Sequence, residues 1–140
     1  MTVDTRTQFH IRRVKLGDVI ETLPQYIQLI LDECPLVDGY KYTLLDIKHQ
    51  ILKAGQSTCS TGWHTDFRSS KPTQESRELN HIWCSAAGTE YMVEGCDTIL
   101  TVPTGQWFSY DRNLVHRGAT VSEDMYRMFI RVSQTMERYA

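Results

Sequence analysis

The stretch Tyr126-Arg127-Met128-Phe129-Ile130-Arg131-Val132-Ser133 decides how this chain must fold. Side chains alternate across a strand, so Arg127, Phe129, Arg131 and Ser133 share one face, and Met128, Ile130 and Val132 share the other. Apolar residues on both faces mark a strand covered on both sides. Two arginines on one of those faces are a poor choice for a dry core, because burying an unpaired charge is costly. That face meets either solvent or an anion, and Phe129 between the arginines argues for the anion.

Upstream, short β-prone segments recur between turn residues. After Asp38-Gly39 the chain alternates from Tyr42 to Leu52, and further strands are expected at 81–86, 89–93, 98–102, 106–110, 114–121 and 126–135. Gly88, Gly95, Pro103, Gly105 and Asp111-Arg112-Asn113 punctuate them. Many short strands at regular spacing predict a sandwich or barrel. An opening strand is expected at 8–16. Helix follows from Asp18, and apolar residues at Ile27, Ile30, Leu31 and Cys34 recur at helical spacing. Pro24 stands either at the first turn of a second helix or at a kink. The expected organisation is one domain over 1–140, with an N-terminal strand and helix segment over 1–39 and a β core over 40–135.

Composition sets few further limits. Hydrophobic residues are 41% and charged residues 23%, as in ordinary soluble domains. The formal net charge of −2 suggests neither a nucleic-acid nor a membrane partner. No apolar run approaches membrane-spanning length, and no signal-like core opens the chain. Cys34, Cys59, Cys84 and Cys96 lack Cys-x-x-Cys spacing, which fits reduced thiols and a cytoplasmic setting.

Trp63-His64-Thr65-Asp66 and Leu114-Val115-His116-Arg117 bring the chemistry into view. In an extended segment His64 and Asp66 point the same way while Thr65 points away. A third ligand has to come from a distant segment, and His116 is the candidate. Two imidazoles and a carboxylate on one side of a site hold Fe(II) and leave the opposite positions open. An arginine nearby can grip a second carboxylate in a two-pronged way. His10 and His49 read as packing residues, and His81 as a pocket wall or a satisfied core histidine. The polar stretch 68–77 follows Asp66 closely, as a lid would, and its Arg68, Lys71 and Arg77 are candidate contacts for an anionic substrate.

With these residues in place, the chain resembles the Fe(II)/2-oxoglutarate-dependent dioxygenase family. The matching pieces are His64-Thr65-Asp66, Gly88-Thr89-Glu90-Tyr91, Pro103-x-Gly105 with Tyr110-Asp111, His116-Arg117, and the Arg127/Arg131 strand. The resemblance implies a mainly β fold, a double-stranded β-helix (a cupin-like jelly roll), with the N-terminal helix packed outside. It implies that His64, Asp66 and His116 ligate Fe(II), with 2-oxoglutarate and O2 as cosubstrates. The far carboxylate of 2-oxoglutarate would meet Arg131 or Arg127; Arg131 is preferred because Ser133 adds a hydroxyl on the same face. Thr89 would add a further hydrogen bond. The implied reaction releases succinate and CO2 and hydroxylates an unactivated C–H. Halogenating relatives carry a small residue where this chain has Asp66, so the resemblance implies a hydroxylase. The short chain leaves little room for substrate-recognition insertions, which favours a compact or side-chain substrate, or help from a second copy. Two other readings share the triad or the fold: a cupin-type metalloenzyme that does not use 2-oxoglutarate, and a non-catalytic jelly-roll binding module.

Overall fold

The computed structural model describes residues 7–59, 61–66, 77–93 and 95–137. Eight strands form two sheets. A five-stranded sheet contains β1 (Thr7–Lys15), β2 (Tyr42–Leu52), β3 (Glu78–Cys84), β6 (Phe108–Asp111) and β8 (Met125–Thr135), in the order β1-β2-β8-β3-β6. A three-stranded sheet contains β4 (Glu90–Met92), β5 (Ile99–Thr101) and β7 (Val115–Arg117), in the order β5-β4-β7. Two bridges, Ser57↔Thr120 and His64↔His116, add the segment after β2 to the free side of β7. From β2 onward the chain therefore crosses repeatedly between the sheets. This winding is the double-stranded β-helix, and the mainly β, cupin-like expectation holds.

The register explains why β8 is covered on both sides. Antiparallel partners directly opposite each other share a face. Leu45 lies opposite Val132 and Ile47 opposite Ile130. This apolar row joins Met128 under Leu16, Leu23, Ile27, Leu31 and Cys34 in one buried cluster. The N-terminal helices thus cap the outer face of the large sheet. On the inner face, Asp46 lies opposite Arg131, Lys48 opposite Phe129, and Gln50 opposite Arg127. Ile82, Val102 and Tyr110, with Phe108 and Phe129 against them, form a second apolar cluster between the sheets.

The helical segment divides more sharply than its periodicity predicts. Helix α1 covers Leu16–Val19, a 3-10 turn covers Ile20–Thr22, and helix α2 covers Gln25–Asp32. Pro24 caps α2 in an extended conformation (φ −53°, ψ 145°), so it starts a helix and kinks none. The strand expected over 114–121 also divides. A Cβ on Gly118 would come within 2.7 Å of both the backbone N and Sγ of Cys59. Glycine therefore lets the 57–59 segment close on β7.

Candidate metal centre

His64 and His116 are cross-strand partners. His64 N–H donates to the His116 carbonyl at 3.0 Å, and His116 N–H donates to the His64 carbonyl at 2.9 Å. This exchange sets the two imidazole centroids 4.5 Å apart. Arg117 supports the junction from the other face of the strand. Its guanidinium lies 4.2 Å from the Trp63 ring centre, and its Nε donates to Glu90 Oε1 at 2.9 Å.

Each imidazole is oriented by its own backbone. The Nδ1 of His64 lies 2.8 Å from the Gly62 carbonyl, and the Nδ1 of His116 lies 3.0 Å from the Leu114 carbonyl. A carbonyl only accepts, so both Nδ1 atoms carry the proton. Nε2 is then the ring atom of each imidazole that faces the site, and it can bind a metal in the neutral ring. Asp66 completes the set: its Oδ1 lies 3.2 Å from His116 Nε2 and 3.9 Å from His64 Nε2. One donor atom from each residue falls within 4.8 Å of the others. This donor set, two neutral imidazoles and a carboxylate on one side of a cavity, suits a divalent first-row metal.

Tyr110 enters the sequence reading only as part of a matching motif, and its contact with the triad was missed. Its hydroxyl donates to Asp66 Oδ2 at 2.7 Å, which leaves Oδ1 facing the imidazoles. Its signal was present but ambiguous, because an inward tyrosine in a strand reads first as core. Burial disfavours the Asp66 carboxylate, but hydrogen bonds from His116 and Tyr110 and the charge of Arg131 outweigh it. The carboxyl is held well below its usual range. Burial likewise pushes the His116 pKa down, but the Asp66 carboxylate and the Leu114 carbonyl raise it further, so the result is upward. Burial lifts the Tyr110 hydroxyl well above its usual value, with the Asp66 charge acting in the same sense, so it stays a donor.

The triad opens on a cavity of about 190 Å³ between the sheets. Drug-sized pockets run to about 300–1,000 Å³, so this one has room for a small ligand only. Its wall includes Lys48, Thr89, Arg127, Phe129 and Arg131 beside the triad. The two arginines differ in their surroundings. Arg131 faces Asp46, with Nε and Nη2 each 3.3 Å from Oδ2, and Asp46 Oδ1 also accepts the Arg13 backbone N–H at 3.0 Å. Arg127 is 1% exposed; its Nε donates to the Ala86 carbonyl and its Nη1 to Gln50 Oε1, each at 2.9 Å. Among the described residues no carboxylate pairs with Arg127.

The remaining candidates separate from the site. Ser133 Oγ donates to Asn80 Oδ1 at 2.8 Å, and Ser133 is absent from the cavity wall. Arg77 stacks over Tyr40, 5.0 Å from its ring centre, and donates to the Gly39 carbonyl, which draws it to the 39–40 turn. Arg68 and Lys71 lie outside the described residues. His81 is a satisfied core histidine, with Nδ1 2.6 Å from Ser109 Oγ and Nε2 2.8 Å from Gln134 Oε1. His10 and His49 pack edge to face on the outer side of the large sheet.

Comparison with known proteins agrees with the fold. No protein-family model matches the sequence, and no curated protein does. Among solved structures, EvdMO1 is similar at TM-score 0.50 and 12% identity, over 93% of this chain and 35% of that one. This chain therefore spans about a third of that protein. A cupin protein from Bacteroides fragilis is similar at TM-score 0.42 and 14% identity, over 100% of this chain and 86% of that one. A Klebsiella pneumoniae protein with a double-stranded β-helix domain is similar at TM-score 0.41 and 15% identity, over 79% and 84% of the two chains. Likeness at this level of identity speaks to fold alone. Among the described residues no helix is long and apolar enough to cross a membrane.

Proposed function

We propose that this chain is an Fe(II)- and 2-oxoglutarate-dependent oxygenase that hydroxylates an unactivated C–H of a small-molecule or side-chain substrate, releasing succinate and CO2. One observation carries the reading. A two-histidine, one-carboxylate donor set shares a small cavity with Arg127, a buried cation without a carboxylate partner among the described residues.

Bound iron would supply the oxygen activation and the electron transfers of the oxidation. The chain's own residues do the rest. His64, Asp66 and His116 would hold the metal through Nε2, a carboxylate oxygen and Nε2, and the carbonyls of Gly62 and Leu114 keep both histidines in the tautomer that ligation needs. Tyr110 orients Asp66. Arg127 takes the far carboxylate of 2-oxoglutarate, and the Thr89 hydroxyl adds a donor from the opposite sheet. Arg131 is the weaker candidate for that contact, because Asp46 already neutralises it. Ile82 and Phe129 keep that part of the wall apolar and exclude water.

The test is succinate release from 2-oxoglutarate by protein loaded anaerobically with Fe(II) and then exposed to O2. Arg127→Met should raise the 2-oxoglutarate requirement at least tenfold and spare metal binding, and Arg131→Met should have the smaller effect. Tight metal binding with no 2-oxoglutarate effect on activity or thermal stability would replace this reading with a cupin metalloenzyme of another chemistry. Absence of metal binding would leave a binding module.

A further inference from the structure

Phe129 gathers two cations. Lys48 Nζ lies 4.9 Å from its ring centre and Arg127 Cζ 5.0 Å. The register explains the meeting: Lys48 is directly opposite Phe129 on β2, and Arg127 is two residues before Phe129 on its own strand, facing the same way. Both residues line the cavity that contains the triad. Among the described residues no hydrogen bond or ion pair reaches the Lys48 ammonium. The two nearby carboxylates are already engaged, Asp46 with Arg131 and Asp66 with His116 and Tyr110.

Like charges sharing one ring in a walled cavity repel, and each has lost water. The ring's quadrupole offsets only part of this. An anion lying against both cations would offset far more. Burial pushes the Lys48 pKa down; Cys59, which lines the same cavity, and Asp46 oppose this, while Arg127 and Arg131 add to it.

We infer that Lys48 and Arg127 together form a two-cation site for the far carboxylate of a dicarboxylic acid held in this cavity, so that Lys48 selects dicarboxylates over monocarboxylates. The inference rests on the oxygenase reading for the identity of the acid, 2-oxoglutarate. Its geometry is independent of that reading. Lys48 was not among the residues singled out from the sequence.

The experiment measures binding to the full chain loaded with Mn(II), which prevents turnover, by titration calorimetry. The ligands are 2-oxoglutarate and 2-oxopentanoate, which lacks the far carboxylate. Lys48→Met should weaken 2-oxoglutarate binding about 10- to 100-fold and leave 2-oxopentanoate within about twofold. Lys48→Arg should restore most of the loss. Unchanged 2-oxoglutarate binding in Lys48→Met overturns the inference, as does equal weakening of both ligands. If wild type ignores 2-oxoglutarate altogether, the oxygenase reading fails separately. Succinate and inorganic phosphate then test the cation pair: binding that Lys48→Met abolishes sustains it, and binding equal in both proteins, or absent from both, overturns it.

Discussion

The Tyr110 hydroxyl donates to Asp66 Oδ2 at 2.7 Å, and the other oxygen of the same carboxylate lies 3.2 Å from His116 Nε2. One carboxylate is thus shared between a structural hydrogen bond and the candidate metal site. Outer partners of this kind affect metal affinity by about 10–100-fold. Tyr110→Phe keeps the ring in its cluster and removes only the donor. We expect an intact fold by circular dichroism and an Fe(II) or Mn(II) affinity at least tenfold weaker by anaerobic titration; unchanged affinity would show that Asp66 needs no such support.

In the proposed centre a proton and a metal compete for His116. Its folded pKa is raised above 6.5, so in the metal-free chain it contributes stability that is complete below about pH 6.5 and lost as pH rises through the folded value. Asp66 is depressed below 3.8, so its contribution is present above about pH 3.8 and lost as pH falls through its folded value. Metal ligation needs neutral His116, so metal affinity changes in the opposite sense and grows with pH. In melting curves between about pH 5.5 and 8, the stability of the metal-free wild type relative to His116→Gln should fall, while the increment given by Mn(II) should rise. A Mn(II) increment independent of pH would remove His116 from the ligand set.

Asp46 and Arg131 form a pair inside the fold, with the Asp46 side chain 3% and the Arg131 side chain 22% exposed. Removing one partner of such a pair costs about 3–5 kcal/mol, because the other charge is left behind. Asp46→Asn should approach that loss in urea denaturation, and Asp46→Leu with Arg131→Leu should recover most of it. The Lys53–Asp124 pair has side chains 69% and 64% exposed. Water and salt screen such an exposed pair, so Lys53→Ala should be nearly neutral. Equal losses at the two sites would contradict this ranking.

Gly118→Ala tests the approach that brings the two histidines together. The added methyl has no room beside Cys59 N and Thr58 Oγ1, at 2.7 and 2.9 Å from the new Cβ. The 57–59 segment must move away, and with it the bridge between His64 and His116. We expect a lower melting temperature and at least tenfold weaker metal binding. Gly55→Ala introduces no close contact, though its positive φ makes some loss of stability likewise expected; metal affinity there should hold.

Much of this protein is legible in its local sequence. The period-two alternation of Tyr42–Leu52 and of residues 126–135 sufficed for long strands, because a half-buried strand writes its faces directly into its residue order. The two-sided covering of β8 was legible for the same reason. His64 and Asp66 at i and i+2 announced a shared direction. Spacing could not say which distant residues meet across the sheets. That Asp46 sits opposite Arg131, that Lys48 and Arg127 meet at Phe129, and that Tyr110 reaches Asp66 are consequences of register between strands up to 85 residues apart. Alternation assigns a residue to a face; long-range pairing assigns its neighbours. Which arginine retains an uncompensated charge therefore depended on the folded chain.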